Sequence, residues 1–356
     1  MGKKINLWQR LIGSREGGVF IALIAIMVIT AIGNNAFLSA ANINNLLRTV
    51  SLTFIGAVGM TFVLATGAFD LSVGATYGFV GIVTGLLIVN AGLPVGIAIV
   101  IGLLTGAVIG LVNGVIICKA HIPPLITTLG VQYIVRGMIN VITKGKPVTG
   151  FPDSFLAIGQ KGIGVVPYTA VIAAIVFVIA AFAFKYTTYG RKVLAVGGNK
   201  ETARVSGINV DGICISTYII AGLLAGLVGI LTTSRLSSAQ TNAGTNWEMT
   251  LIASAVIGGT SLAGGIATIT GTLIGVAIME TLNVMTTLLK IDTYFQKIIV
   301  GVIIIVAVGI DVIRRNKMAR GCQHGRERKN TGAGDAFYHQ DIHGRSRAGQ
   351  CILYRV

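Results

Sequence analysis

The sequence predicts an all-α membrane protein: a polytopic bundle of about ten transmembrane helices with an inverted repeat. Three observations carry this expectation. The 356 residues are 53% hydrophobic and only 11% charged, against about 25% charged in a soluble domain. Residues 71–118 contain no Asp, Glu, Lys or Arg, enough chain for two spans of about 20 residues each. Glycine is abundant (48 residues) and aromatics make up 7%, a composition suited to lipid, where small residues let helices approach and no hydrophobic drive pulls them together. Barrel strands would alternate over about ten residues, whereas these apolar runs are continuous.

Taken in order, the expected spans lie near 18–37, 46–67, 71–91, 94–118, 122–143, 164–184, 212–233, 247–263, 267–289 and 295–313. The first is a retained span, since MGKKINLWQR leads into no short apolar run with a small-residue cleavage site. With the N-terminus inside, an even count puts the C-terminus inside as well. Thirteen basic residues of 1–317 then face the cytosol and seven face out, the bias the positive-inside rule requires. The outer loop 144–163 is the longest on its face and is rich in turn residues. The net charge of +16 therefore reflects span ends, and no nucleic-acid partner is implied.

A faint repeat supports the inverted architecture. TGAVIG (Thr105–Gly110) recurs as TGTLIG (Thr270–Gly275), and DLSVGATYG loosely echoes EMTLIASA. Both echoes are five spans apart, and an odd offset reverses direction. Chance matching in helices rich in Gly, Ala and Thr gives the same pattern.

The transmembrane domain is taken as 1–317, with a cytosolic loop at 185–211, and a basic, disordered tail as 318–356. The tail holds His324, His339 and His343, too scattered to read as metal ligands. Cys118, Cys214, Cys322 and Cys351 have no spacing that suggests a disulfide framework or a zinc site.

No catalytic constellation is present. No Lys is followed by Ser or Thr, so a Walker A loop, which ends in Lys-Ser/Thr, is impossible. If ATP drives this protein, ATP and Mg are bound by other subunits, and this chain binds no cofactor.

The loop Thr188–Val210 (TYGRKVLAVGGNKETARVSGINV) is polar, basic and punctuated by glycine. Gly190 and Gly197–Gly198 are expected to break helix. Asn199 should cap a short helix with Glu201 in its first turn, Ala203 within it and Arg204 in its last, and Ser206–Gly207 should stop it. With few large apolar residues, the helix suits docking to a soluble ATPase better than insertion into lipid. Gly190, Arg191, Gly197, Gly198, Asn199, Glu201, Ala203, Ser206 and Gly207 are the candidate coupling residues.

Candidate path residues are polar groups within or near spans: Asp70, Ser72, Asn113, Gln132, Arg136, Glu248, Asn283 and Gln296. A neutral polyol needs uncharged donors and acceptors, although helix-to-helix bonding accounts for each of them equally well. Asp70 or Ser72 is first an N-cap for the third span, with Gly67 and Gly74 allowing the break, and second a substrate contact. Arg136, deep in the fifth span, pairs with Glu280 or Glu248 or lines the path. Trp247 is expected as an interface anchor.

Four of these segments resemble the permease subunits of ribose-type ABC sugar importers. GAFDLSVG is similar to that family's G-G-I-D-L-S-V-G and PLITTLG to its P-F-I-x-T-L-G. GRKVLAVGGNKETARVSGINV is similar to G-R-x-x-x-A-x-G-G-N-x-x-A-A-x-x-S-G-I, and WEMTLIASAVIGGTSLAGG to Y-E-L-x-A-I-A-A-x-x-I-G-G-T-S-L-x-G-G. Ala68, Phe69, Thr202 and Trp247 depart from the pattern, and the tail after Lys317 matches none of it. The resemblance implies a permease in the bacterial inner membrane that forms a homo- or heterodimer with a second permease subunit. It also implies cytosolic ABC ATPase subunits and a periplasmic sugar-binding protein as partners, and a monosaccharide cargo moved by alternating access. Two rivals are an ion-coupled secondary transporter, with Glu280 as its acidic group, and an intramembrane enzyme, which the lack of histidine in every span disfavours.

Overall fold

The structure, a computed structural model, describes residues 15–292 and, beyond them, only positions 295, 298, 301, 302, 305 and 309. Gln296, the rest of the expected tenth span and the tail lie outside the described residues. Among the described residues, nine helices fall where the first nine spans were expected: α1 (Arg15–Gly33), α2 (Ala40–Ala65), α3 (Val73–Val89), α4 (Val95–Lys119) and α5 (Pro124–Thr143), then α7 (Tyr168–Tyr186), α10 (Val210–Leu236), α11 (Trp247–Ile257) and α12 (Ile269–Leu288). Three further helices lie between them: α6 (Asp153–Gln160), α8 (Thr188–Gly198) and α9 (Lys200–Val205). Strand structure among the described residues is confined to two-residue pieces, Val148–Thr149 paired with Ser238–Ala239 and Gly162–Ile163 paired with Val166–Pro167.

Local signals set the helix starts. Pro94, Pro123, Pro152 and Pro167 each stand immediately before a helix, where a missing N–H costs nothing. Ser39, Thr187, Asn209 and Thr268 accept first-turn N–H bonds at the starts of α2, α8, α10 and α12. The Pro152 start also explains why the 144–163 loop is not wholly irregular: Asp153 begins a helix there that buries Phe155.

Among the described residues, six helices (α2, α4, α5, α7, α10 and α12) are long and apolar enough to cross a membrane. α1, α3 and α11 are shorter apolar helices. The 11 residues of α11 reach only about 16 Å at 1.5 Å per residue, about half of the hydrocarbon thickness. The expected span 247–263 is thus helical only as far as Ile257, because Gly258 and Gly259 follow.

The centre of the bundle is α2, buried without interruption from Ser51 to Ala65, packed against α10, α7, α12 and α11. Around it, α1, α4, α5 and α7 turn bare apolar side chains outward, among them Ile32, Leu104, Ile134, Val141 and Ile179. A soluble monomer rarely exposes contiguous apolar surface on this scale; in a bilayer it is the solvent-facing surface.

Close approach replaces large side chains in the packing. On α4, Gly102, Gly106, Gly110 and Gly114 recur every four residues and are all buried. A Cβ on Gly106 would strike the carbonyl of Gly222 on α10, and one on Gly222 would strike the carbonyl of Gly106. The backbones of α4 and α10 touch there, the small-residue packing used between helices in lipid. Gly271 and Gly275 of α12 meet Gly258 and Ser254 in the same way.

Candidate functional site

The 188–207 segment forms a knuckle at one end of the bundle. Asn199 Oδ1 accepts the Thr202 N–H at 2.8 Å, which caps α9 with Glu201 in its first turn and Arg204 in its last. Gly207 follows the Ser206 C-cap at φ +78°, a conformation that costs glycine little. Ala203 turns inward onto Val196, Val210, Cys118 and Cys214. Arg191, Lys192, Glu201, Arg204 and Ser206 are exposed, and Val205 is 89% exposed. Arg204 reaches Glu201 and Asp211 at 3.6 and 3.8 Å, and Lys119 reaches Asp211 at 3.6 Å.

Gly190 does not break helix, against the expectation, since α8 runs through it; α8 does end at the Gly197–Gly198 pair, as expected, and Gly190 and Gly197 have a further role. Their service is close approach. Gly190 lies against the carbonyl of Ala183 on α7, and Gly197 against the carbonyl of Ala65 at the end of α2. Gly265 N donates to that same Ala65 carbonyl at 3.0 Å. Three chain segments (the α2 end, the α8 end and the 258–268 loop) therefore meet backbone to backbone. Tyr189 adds a side-chain tie: its ring lies 6.2 Å from Phe62 of α2 and its hydroxyl is 2.7 Å from Ser216 Oγ of α10. Burial pushes the Tyr189 phenol above its usual range, while the bond to Ser216 pulls it down.

Deeper in the bundle, the N-terminal ends of α3 and α11 meet. Gly74 of α3 lies against the carbonyl of Gly244 and against Glu248 of α11. Arg136 of α5 ties this junction together, donating to Ala243 O at 2.6 Å and to Gly74 O at 3.2 Å. The expected ion pair with Glu280 or Glu248 is not formed, because carbonyls of the helix-break segments occupy the guanidinium. Glu248 Oε1 instead accepts from Gln132 Nε2 at 3.2 Å. Asp70, Ser72 and Asn113 form a fully buried relay. Asn113 Nδ2 donates to Ser72 Oγ at 2.7 Å, and Ser72 Oγ donates to Asp70 Oδ1 at 2.7 Å. Asp70 also accepts the Ser72 N–H. Ser72 occupies the N-cap position of α3 without a side-chain cap bond, so the expected cap is replaced by a turn closed on Asp70. Gly67, at φ +74°, makes the break before it, and Tyr218 holds Phe69 O at 2.8 Å.

An open cavity of about 200 Å³ lies among α2, α3, α10, α11 and α12, several of its lining side chains being partly exposed. A water occupies about 30 Å³ of the liquid, so the space suits several waters or one small polar molecule. Thr49, Thr53, Thr232 and Thr250 contribute hydroxyls, Tyr77 and Trp247 contribute rings, and Arg235, Glu280 and Asn283 contribute charge and amide. Trp247 is half-buried and its ring packs into the space that Gly56 of α2 leaves open, so besides standing at a helix start it lines this pocket.

The family model for the branched-chain amino acid transport system / permease component matches residues 42–308. The chain belongs to this permease family. The permease is 41% identical over 296 residues to the ribose import permease protein of Haemophilus influenzae, covering 82% of this chain and 91% of the relative. It is 42% identical over 297 residues to the ribose import permease protein of Escherichia coli K12, covering 82% and 92%. The galactose/methyl galactoside import permease protein of the same strain is 33% identical over 322 residues, covering 84% and 95%. The resemblance to ribose-type ABC sugar permeases carried by the four motifs is borne out. No solved structure matches the permease.

Among the candidate path residues of the permease, the fold brings Asp70, Ser72 and Asn113 into one cluster and Gln132, Arg136 and Glu248 into a second, while Asn283 lines the cavity. Thr49, Thr53, Tyr77, Thr232, Arg235 and Thr250 were not singled out from the sequence. A threonine in a span carries no signal of its own, since its hydroxyl can return to the i−4 carbonyl.

Proposed function

We propose that the permease forms the translocation path of an ABC importer for a monosaccharide, ribose or a related pentose or hexose. A periplasmic binding protein delivers the sugar and separate cytosolic ATPase subunits, which hold the ATP and Mg, drive transport. Two permease subunits, identical or different, rock about a central path in the bacterial inner membrane. This chain contributes the path and the transfer of force, without hydrolysis of its own. Ten spans with both termini inside and an inverted repeat complete the proposal, with the permease domain at 1–317 and an appended tail at 318–356. Two facts support the repeat. The α2–α3–α4 neighbourhood is mirrored by that of α10, α11 and α12: α4 packs on α3 and α10 as α12 packs on α11 and α2. The echoed segments around Asp70 and Glu248 also precede or open the two short helices that meet in the interior.

The single observation that carries the coupling role is the backbone junction of Gly197, Ala65 and Gly265. It joins the end of α8, which leads straight into the exposed, capped α9, to the central α2 with no side chain between them, so a push on α9 has little slack to cross. Relatives with ribose, arabinose or galactose in their names support the sugar cargo. The test is reconstitution in vesicles with the cognate ATPase and binding protein. Uptake should require both, and the permease alone should hydrolyse no ATP. A thiol placed at Lys200 should react only from the side that holds the ATPase; labelling from the opposite side would invert the topology and defeat the coupling role.

The second reading, an ion-coupled transporter, draws on Glu280, which is buried at the cavity with Thr53 Oγ1 donating to it at 2.7 Å. Uptake that survives collapse of proton and sodium gradients but stops on ATP depletion would remove it.

A further inference from the structure

The cavity between α2 and the α10–α12 helices is built from chemistry that fits one class of occupant. Trp247 and Tyr77 lie with ring centroids 4.9 Å apart at 38°, and both border the space. Aromatic rings of this kind give a rigid apolar face with a polar handle, suited to the C–H face of a sugar ring. Facing them is the Glu280 carboxylate, which accepts from Thr53 at 2.7 Å and from Asn283 at 3.4 Å. A carboxylate offers about four lone-pair sites, so two remain for ligand hydroxyls. Arg235 also borders the space and gives one N–H to Asn45 at 2.6 Å, out of five. One acid and one base line the same cavity, which therefore favours a neutral, hydroxyl-rich molecule over an ion. An acyl chain would leave the carboxylate and guanidinium without new partners, at the cost attached to unmet polar groups away from water.

We propose that this cavity is a monosaccharide-binding station inside a single protomer, with Trp247 as the stacking platform and Glu280 as the hydroxyl acceptor. The proposal rests on the sugar-permease function above and deepens it: a sugar pauses within the subunit, held by direct contacts. Specificity then follows from which hydroxyls reach Glu280 and Asn283 while the ring lies on Trp247.

The chain contains two tryptophans, Trp247 and Trp8, the latter outside the described residues. A Trp8→Phe full-length protein in lipid nanodiscs therefore makes Trp247 the only indole reporter. Its emission is titrated with D-ribose, L-arabinose and D-galactose, with a disaccharide as the size control. The expected result is a saturable change with at least one monosaccharide and none with the disaccharide. The apparent dissociation constant should rise at least about tenfold in Glu280→Gln and in Thr53→Val, each checked for a monodisperse elution profile. Three results would overturn the station: no saturable change with any of the three sugars, an equal response to the disaccharide, or unchanged affinity in both variants. Any of these alongside intact ATP-driven uptake in vesicles sinks the station alone, whereas absent uptake of every sugar sinks the permease function itself.

Discussion

Gly197, one residue from the end of α8, lies directly against the carbonyl of Ala65, the last residue of α2. Any β-carbon at Gly197 must push the two helices apart. Overpacking of this kind costs about 1–3 kcal/mol, and here the displaced atom is backbone. Gly197→Val is expected to insert into the membrane at normal yield yet to raise the ATP consumed per sugar imported several-fold in the reconstituted system. An unchanged ratio would mean that force does not cross at this junction.

The exposed face of α9 separates docking from stability. Val205 is 89% exposed and the Glu201–Arg204 pair lies at the surface, where substitutions usually change stability by less than about 0.5 kcal/mol. Val205→Asp and Glu201→Lys are expected to leave thermal unfolding of the purified permease unchanged while weakening its pull-down of the ATPase subunit at least about tenfold. Equal pull-down by both variants would dismiss the knuckle as the docking element.

Arg136 makes a clamp that lysine cannot copy. Its two terminal nitrogens reach Ala243 O and Gly74 O on separate chain segments, and hydrogen bonds from charged groups contribute about 1.5–3 kcal/mol each. Arg136→Lys is expected to lower the melting temperature nearly as far as Arg136→Met, because one compact ammonium cannot span both carbonyls. Full rescue by lysine in a detergent melting series would show that charge, not the fork, matters.

Two glycines in spanning helices should answer the same substitution with opposite signs. Gly106 is pressed against the Gly222 carbonyl, whereas Gly137 has open space where a Cβ would go. Gly106→Ala is expected to destabilise by about 1–3 kcal/mol. Gly137→Ala should stabilise by about 0.4–1 kcal/mol, because alanine orders less chain on folding. Side-by-side melting curves check the pair, and equal shifts would refute the close approach of α4 and α10.

Much of the architecture was legible because its signals are local. Long apolar runs marked α4, α5 and α7, whose starts behind Pro94, Pro123 and Pro167 the fold then fixed. Asn199, Glu201, Arg204 and Gly207 marked a helix only six residues long, since caps, dipole charges and a left-handed stop act within one turn. The role of glycine was misjudged in α8 for the converse reason. Whether Gly190 breaks a helix or admits a neighbour depends on Ala183, and the second role of Gly197, beside the helix end it marks, depends on Ala65, a contact far away in the chain.

By itself the sequence determined where the chain turns helical, which stretches suit lipid, and that a polar capped knuckle interrupts them. It also carried the family, because long motifs survive as ordered strings of residues. Only the tertiary structure decided that Arg136 binds carbonyls and not a carboxylate, that the ends of α3 and α11 meet, and that Thr53, Trp247 and Glu280 face one cavity. The physical reason lies in the solvent. In lipid, helices are selected by backbone contact between small residues and by hydrogen bonds across the interface, and neither leaves a periodic trace that names the partner.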